Sequence, residues 1–137
     1  MLEQPFVLPA DKPLLITRGS FYMKEFRWRT TAGTPIDISG LSFEAQFRES
    51  YASDSPILTL TTEAGGFQIT NGPDGRFRMF MTLAQTRLFV VPLDARKITD
   101  IPKKDFVFEI DAIPADPTRR FSFLVGVARV KAEVSRE

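Results

Sequence analysis

Phenylalanines that alternate with polar residues restrict the fold of this sequence more than any other feature. Residues 43–48 (FEAQFR) and 106–112 (FVFEIDA) carry an apolar side chain at every second position. Because successive side chains of a β-strand point to opposite faces, this spacing indicates strands with one buried and one wet face. The excess of thirteen phenylalanines over two tyrosines and one tryptophan also favours strands over helices.

Glycine- and proline-containing turns separate further strand-like segments. In residues 21–30 the side chains of Tyr22, Phe26 and Trp28 share the face that we expect to be buried. Two β-hairpins are predicted, from 67–70 with 76–81 and from 106–112 with 121–130. The last two strands are expected to be the longest.

One short stretch has a helical pattern instead. Residues 82–88 predict about two turns, with Thr82 as the N-cap and with Leu83 and Leu88 on the apolar side. Many short strands without the helices of a parallel α/β fold indicate a sandwich or a small barrel. We expect an all-β protein, an antiparallel β-sandwich of about seven to eight strands with one short helix.

The N-terminal residues differ from the rest of the chain. Residues 1–13 contain three prolines and little periodicity, which predicts an extended arm outside a single sandwich domain formed by residues 14–137. Prolines lower the entropy that such an arm loses when it docks, and we expect it to dock on a neighbouring subunit. The predicted interface residues are Pro5, Phe6, Val7, Leu8, Pro9 and Pro13.

Composition excludes much of catalytic and metal chemistry. The chain has no cysteine and no histidine, which removes disulfides, thiolate nucleophiles, Cys/His zinc sites and the commonest general base. No phosphate-binding loop, dinucleotide fingerprint, nucleophile elbow or metal motif occurs. We therefore predict no catalytic residue, cofactor, metal or small-molecule substrate.

The remaining enzymatic option is a pair of carboxylates of the kind used in glycoside hydrolysis. Glu109 with Asp111 or Glu44 are the candidates. Residues two apart on a strand share a face, so Glu109 and Asp111 are expected on the solvent side of the strand that buries Phe108. An ordinary wet face is the stronger interpretation of these residues.

Arginines near a tryptophan raise the question of nucleic-acid binding. Arg27, Trp28 and Arg29 could join Arg48, Arg76 and Arg78 in a basic surface. Trp28 falls on the predicted core face, however, and the eighteen basic residues are balanced by seventeen acidic ones. We predict no nucleic-acid partner, and the adjacent Arg119 and Arg120 are interpreted as a solubilising turn.

Sugar binding would require exposed aromatic side chains. Tyr22, Tyr51 and Phe89 are the aromatics that the core pattern places least firmly, and Tyr51 lies in the polar loop of residues 50–56. Tyr51 is therefore the candidate ligand contact. The start of the chain lacks the order of a signal peptide, and no apolar run approaches the about 20 residues of a membrane span.

Several segments, in their order and spacing, resemble a known family. The sequence is similar to small phage and prophage virion domains, such as the N-terminal domain of baseplate upper proteins and related tail-attachment modules. The segments that carry this resemblance are TRG (17–19), GTPIDISG (33–40), FEAQFR (43–48), TLAQT (82–86), FVFEI (106–110) and GVARVKAEVSR (126–136).

The resemblance implies a non-enzymatic β-sandwich that attaches one virion part to another, often as one of several symmetric copies. Other virion proteins and further copies of the chain are the expected partners, and the expected location is the virion, after synthesis in the host bacterial cytoplasm. Further domains commonly follow the closing segment in such proteins. Because this chain ends at Glu137, we expect an adaptor of the tail, baseplate or fibre-attachment region rather than a receptor-binding protein. The alternatives are a capsid decoration protein and a carbohydrate-binding adhesion module.

Overall fold

The computed structural model describes residues 6–7, 12–92 and 101–133. The strands in these ranges are β1 (Phe6–Val7), β2 (Leu14–Thr17), β3 (Tyr22–Arg27), β4 (Ser42–Arg48), β5 (Leu58–Thr61), β6 (Phe67–Asn71), β7 (Arg76–Met81), β8 (Lys103–Ile113) and β9 (Phe121–Lys131). Among the same described residues, the helical elements are α1 (Leu83–Thr86) and a 3-10 turn, Pro117–Arg119.

The strands form two sheets, as the alternating pattern predicts. In the large sheet the order is β5, β4, β8, β9, and both β1 and β2 pair with the outer edge of β9. The small sheet has the order β3, β7, β6, with antiparallel pairing throughout. The two predicted hairpins are confirmed as β6 with β7 and β8 with β9, and β8 and β9 are the longest strands at eleven residues each.

Phenylalanine rings fill the space between the sheets. Phe43 of β4 stacks on Phe77 of β7 with ring centroids 4.4 Å apart, which joins the large sheet to the small one. The three residues predicted to be buried in β4, namely Phe43, Ala45 and Phe47, are all at or below 1% exposure. Burial of such large side chains is the main source of stability in a domain of this size. The predicted all-β sandwich is therefore confirmed.

Helix α1 begins as predicted but packs differently. The Thr82 side chain accepts a hydrogen bond from the Gln85 N–H, and the Gln85 side chain accepts one from the Thr82 N–H, which is a complete capping box. Leu83 and Leu88, however, are each 49% exposed, and Thr86 is the buried residue. The prediction that Leu83 and Leu88 form the buried side was wrong. Helix α1 packs against the turn at Gly19 and Ser20, whose backbone groups bond to the Thr86 hydroxyl.

The first strands pair in parallel, unlike the rest of the molecule. Leu14 and Ile16 of β2 are buried, and β2 runs beside β9 from Leu14 opposite Ala128 to Thr17 opposite Lys131. β1 lies beside the earlier part of β9, with Phe6 opposite Leu124 and Val7 opposite Val125. Both segments cover the edge of a long strand that would otherwise be open.

Candidate interaction surface

Among the described strands of six or more residues, β3 is the most exposed. Four of its six residues are exposed, and only Tyr22 and Phe26 are half-buried. It forms one edge of the small sheet, since its only strand partner among residues 12–92 and 101–133 is β7. An edge strand presents a row of backbone N–H and C=O groups to any chain that can pair with it.

The hydrogen bonds of Trp28 show which backbone groups face outward. Its N–H donates to the Gly75 carbonyl at 2.8 Å, on the side of β7. Antiparallel pairing alternates along a strand, so the even residues of β3 bond to β7. The N–H and C=O groups of Met23, Glu25 and Arg27 therefore point away from β7, and we call these groups the open edge of β3.

The chain after β3 does not cover this edge. Trp28 accepts a hydrogen bond at its carbonyl from the Ile36 N–H at 3.0 Å, and Thr30 donates to the Thr34 carbonyl at 2.8 Å. Both bonds lie on the side of the even residues. Beyond Gly75, residues 34–36 thus lie on the side of the strand that β7 occupies before it. They do not pair with the other side of β3.

An aromatic cleft of about 260 Å³ opens beside β3, between the two sheets. We define this aromatic cleft by its lining residues, which are Phe26, Arg27, Trp28, Arg29, Phe77, Phe123 and Leu124. The Trp28 ring stacks on Phe123 at 4.2 Å between centroids and is 5% exposed, so the prediction that Trp28 is a core residue is confirmed. Phe26 stacks on Phe77 at 5.1 Å.

A β-bulge in β9 shapes the cleft. The pairing of β8 with β9 steps from Ile110 opposite Leu124 to Asp111 opposite Ser122, which leaves Phe123 as the extra residue. Phe123 and Leu124 are consequently both buried although they are neighbours in the chain. The sequence carries a signal of this bulge. Phe121 and Phe123 follow one alternating pattern, and from Leu124 and Gly126 onward the inward positions follow the opposite phase.

Charged side chains cover the outer face of the small sheet. Arg27 and Arg76 both bond to Asp74, at 2.7 and 2.5 Å, and Arg78 reaches Glu25 at 3.4 Å. The hydrogen bond from Asp74 raises the pKa of the Arg76 guanidinium. Three of the six residues considered for a basic surface are therefore paired with carboxylates here.

Apolar side chains lie at the beginning of the same strand. Phe21 is 62% exposed, and its ring centroid is 6.2 Å from that of Phe80 in β7. Met23 lies opposite Phe80 in the strand register and is 46% exposed. The outer face of the small sheet is thus apolar at the start of β3 and charged towards its end.

A cluster of side chains joins three distant segments at one corner of the sandwich. We define this corner cluster as Arg18, Gly19, Thr86, Arg87 and Glu133. The two arginines bond to the Glu133 carboxylate, at 3.3 Å for Arg18 and 2.8 Å for Arg87. The buried Thr86 hydroxyl accepts from the Gly19 N–H and donates to the Ser20 carbonyl, both at 3.0 Å. Arg18 also donates to the Phe89 carbonyl at 2.9 Å.

The carboxylates considered for catalysis are brought together, but by an arginine. Glu44 and Asp111 are opposite each other on β4 and β8, and Arg120 bonds to both, at 3.4 and 2.7 Å. The hydrogen bond with Asp111 raises the pKa of the Arg120 guanidinium. Glu109 is exposed, as the predicted wet face requires. Arg120 is therefore a structural cation, and the interpretation of the Arg119–Arg120 pair as a simple solubilising turn was incomplete.

The three aromatics considered for sugar binding have different environments. Phe89 is completely buried, in edge-on contact with Phe47 and Phe106. Tyr22 is half-buried, and desolvation raises its pKa to about 12. Tyr51 is 68% exposed in the loop between β4 and β5. Of the three, only Tyr51 retains the exposure that a ligand contact requires.

The predicted interface residues of the arm are only partly described. Pro5, Leu8 and Pro9 lie outside the described residues, as do residues 93–100 and 134–137. The backbone of Phe6 and Val7 pairs with β9 of the same chain, and Pro13 is half-buried just before β2. Contact of the arm with a partner therefore stays a prediction.

Comparison of the chain with models of known protein families and with curated proteins finds no match. In the described ranges, no helix has the length and apolar character needed to cross a membrane. The same ranges hold no cluster of three or more acidic side chains arranged to bind a metal ion.

Proposed function

We propose that this protein is a non-enzymatic structural module of a bacteriophage particle, which attaches one component to another in the tail, baseplate or fibre-attachment region. The corner cluster is the observation that carries the proposal. Arg18 and Gly19 belong to the first segment of the resemblance, Thr86 to the fourth, and Glu133 to the last. Three of the segments that carry the resemblance therefore contact one another in the fold. A chance likeness of separate strands would not require such contacts.

The surface chemistry supports binding over catalysis. Arg120 neutralises the carboxylates of Glu44 and Asp111, the two candidates that lie opposite each other. The open edge of β3 offers backbone groups to an added strand, and strand addition is a common way for extended segments to assemble proteins. An adaptor needs such surfaces more than it needs a cleft with reactive groups.

Particle composition tests the proposal. Particles of a phage or induced prophage that encodes the chain are purified on a density gradient, and their proteins are quantified by mass spectrometry. We expect the chain in a fixed ratio to the other tail proteins, and deletion of its gene should yield particles that lack a tail or baseplate part. Complete absence of the chain from purified infectious particles would overturn the proposal.

The N-terminal arm is tested separately with a chain that starts at Leu14. Because β2 retains its buried Leu14 and Ile16, the shortened chain should fold. We expect it to fail to restore assembly in the gene-deleted phage, since residues 1–13 are the predicted docking segment. Normal incorporation of the shortened chain into particles would exclude the arm from assembly.

An adhesion module that binds carbohydrate is a second candidate, favoured by the exposed Tyr51 side chain. Aromatic rings in exposed loops supply flat apolar faces for sugar rings. A glycan array probed with the wild-type chain and with Tyr51→Ala tests this candidate. Binding that depends on Tyr51 would support it, and no binding by the assembled protein would dismiss it.

A further inference from the structure

The edge of the small sheet at β3 differs from the edges on the opposite side of the sandwich. β5 has four residues, and the pairing of β6 with β7 is interrupted by a register shift between Ile69 and Asn71. Short strands and bulges are the usual means by which an edge avoids pairing. β3 has six residues in continuous register with β7 and no such interruption. It is therefore the edge best suited to accept another strand.

The sequence of β3 is complementary to itself when two copies run antiparallel. Residues 23–29 read Met-Lys-Glu-Phe-Arg-Trp-Arg, with opposite charges on either side of Phe26. A two-fold axis at Phe26 would place Glu25 opposite Arg27 of the second copy, and Arg27 opposite its Glu25. Opposite charges that face each other across an antiparallel pair are stabilising, and like charges are destabilising.

The other registers available to the open edge are poorer. An axis at Lys24, Glu25 or Arg27 would place that residue opposite its own copy and bring like charges together. An axis at Met23 would pair Glu25 with Phe21 and would run the strand end into the turn at Gly19. Only the axis at Phe26 places Glu25 opposite Arg27 and keeps the whole of β3 in the pairing.

We propose that a second copy of this chain docks on the open edge of β3, antiparallel and with Phe26 at the two-fold axis. The two small sheets then form one continuous sheet of six strands, because each contributes three. Lys24 lies beside Trp28 of the second copy, at the mouth of the aromatic cleft, rather than beside another cation. The inference deepens the proposed assembly role by naming a partner, and oligomeric state tests it independently of particle composition.

A charge-swap series measured by sedimentation equilibrium over a range of protein concentrations is the main experiment. The wild-type chain, of 15.5 kDa, should form a dimer of twice that mass. Glu25→Arg and Arg27→Glu should each raise the dissociation constant by about tenfold or more, since each creates like-charge contacts at two symmetric positions. A mixture of the two single variants should dimerise again, because their charges complement each other. The double variant E25R/R27E should also dimerise.

Glu63→Arg is the matched control. Glu63 is exposed in the turn between β5 and β6, on the other side of the sandwich, and its reversal changes the net charge by the same amount. This control should dimerise like the wild type. Thermal unfolding of each variant separates lost association from lost folding, because Glu25 and Arg27 also pair with Arg78 and Asp74 within the chain.

Disulfide trapping tests the register. The chain has no cysteine, so each variant carries one thiol. Phe26→Cys should form a covalent dimer under mild oxidation. Phe26 would face its own copy at a non-hydrogen-bonded position, where opposite Cβ atoms come closest, at about 4.5 Å, and this is within reach of a disulfide. Lys24→Cys should not, since Lys24 lies opposite Trp28 of the second copy.

Several outcomes would overturn the inference. A wild-type chain that stays monomeric at all concentrations would mean that Lys24, Glu25 and Arg27 protect the edge against pairing, which is another known use of charges on edge strands. A dimer that is insensitive to the charge reversals would place the interface elsewhere. Trapping through Lys24→Cys and not through Phe26→Cys would exclude the Phe26 register.

Discussion

The β8–β9 hairpin and strand β3 have the same alternating sequence pattern but opposite degrees of burial. In β8 the residues Phe106, Phe108 and Ile110 are almost completely buried, and both edges of the hairpin are paired. In β3 the equivalent inward positions hold Tyr22, Lys24 and Phe26, of which two are half-buried and Lys24 is exposed. Alternation thus predicts a strand with two faces. What lies against those faces is decided by neighbouring elements.

Truncation of one phenylalanine in each region should show the largest difference. Phe108→Ala removes a ring that is 1% exposed and stacked on Phe47 at 5.5 Å, and it should lower the free energy of unfolding by about 3–5 kcal/mol. Phe26→Ala should cost distinctly less, because Phe26 is half-buried beside an open cleft. Chemical denaturation of both variants checks the comparison, and equal losses would contradict it.

The anchoring of β3 depends on Gly75. This glycine has φ of +71°, and a Cβ there would lie 2.4 Å from the Trp28 carbonyl oxygen. We expect Gly75→Ala to destabilise the protein by about 3 kcal/mol, at the upper end of the cost of a strained backbone. Gly65→Ala is the control, since its φ of +84° is similar and open space surrounds it. A loss no greater than that of the control would show that the close approach to Trp28 is unimportant.

Within the corner cluster, Thr86 ties helix α1 to the Gly19–Ser20 turn that precedes β3. Thr86→Val keeps the shape of the side chain but leaves the Gly19 N–H and the Ser20 carbonyl without their partner. Unsatisfied buried groups cost about 1–3 kcal/mol each, and we expect a loss toward the lower end because Gly19 is only half-buried and Ser20 is exposed. Thr86→Ser, which keeps the hydroxyl, should recover most of this stability in thermal unfolding. If serine fails to do so, the methyl group rather than the hydroxyl matters.

The smallest effect is expected on the wet face of the hairpin. Asp105 lies opposite Arg129, whose hydrogen bond at 2.8 Å lowers the pKa of Asp105 below its ordinary 3.8. A lowered pKa stabilises the fold at neutral pH, and the contribution disappears as the pH falls through that lowered value. Asp105→Asn should therefore cost less than about 1 kcal/mol at pH 7, as exposed pairs do. The free energies of unfolding of the variant and the wild type should converge in acid. A difference that stays constant with pH would show that the lowered pKa of Asp105 is not its source.

The sequence by itself was sufficient for the all-β class, because residues such as Phe43, Ala45 and Phe47 alternate with polar neighbours and can bury one face only as a strand. It was also sufficient for the two hairpins and for the Thr82 N-cap, since turns and caps depend on residues that are adjacent in the chain.

Only the tertiary structure decided which strands became edges, because an edge is defined by the absence of a neighbour and not by its own residues. It also decided that Arg120 neutralises Glu44 and Asp111, and that Arg18, Thr86 and Glu133 meet at one corner. These contacts join residues that are far apart in the chain, and local periodicity carries no information about them. The open edge of β3 and the aromatic cleft beside it arise in the same way, from how two sheets and a bulge at Phe123 fit together.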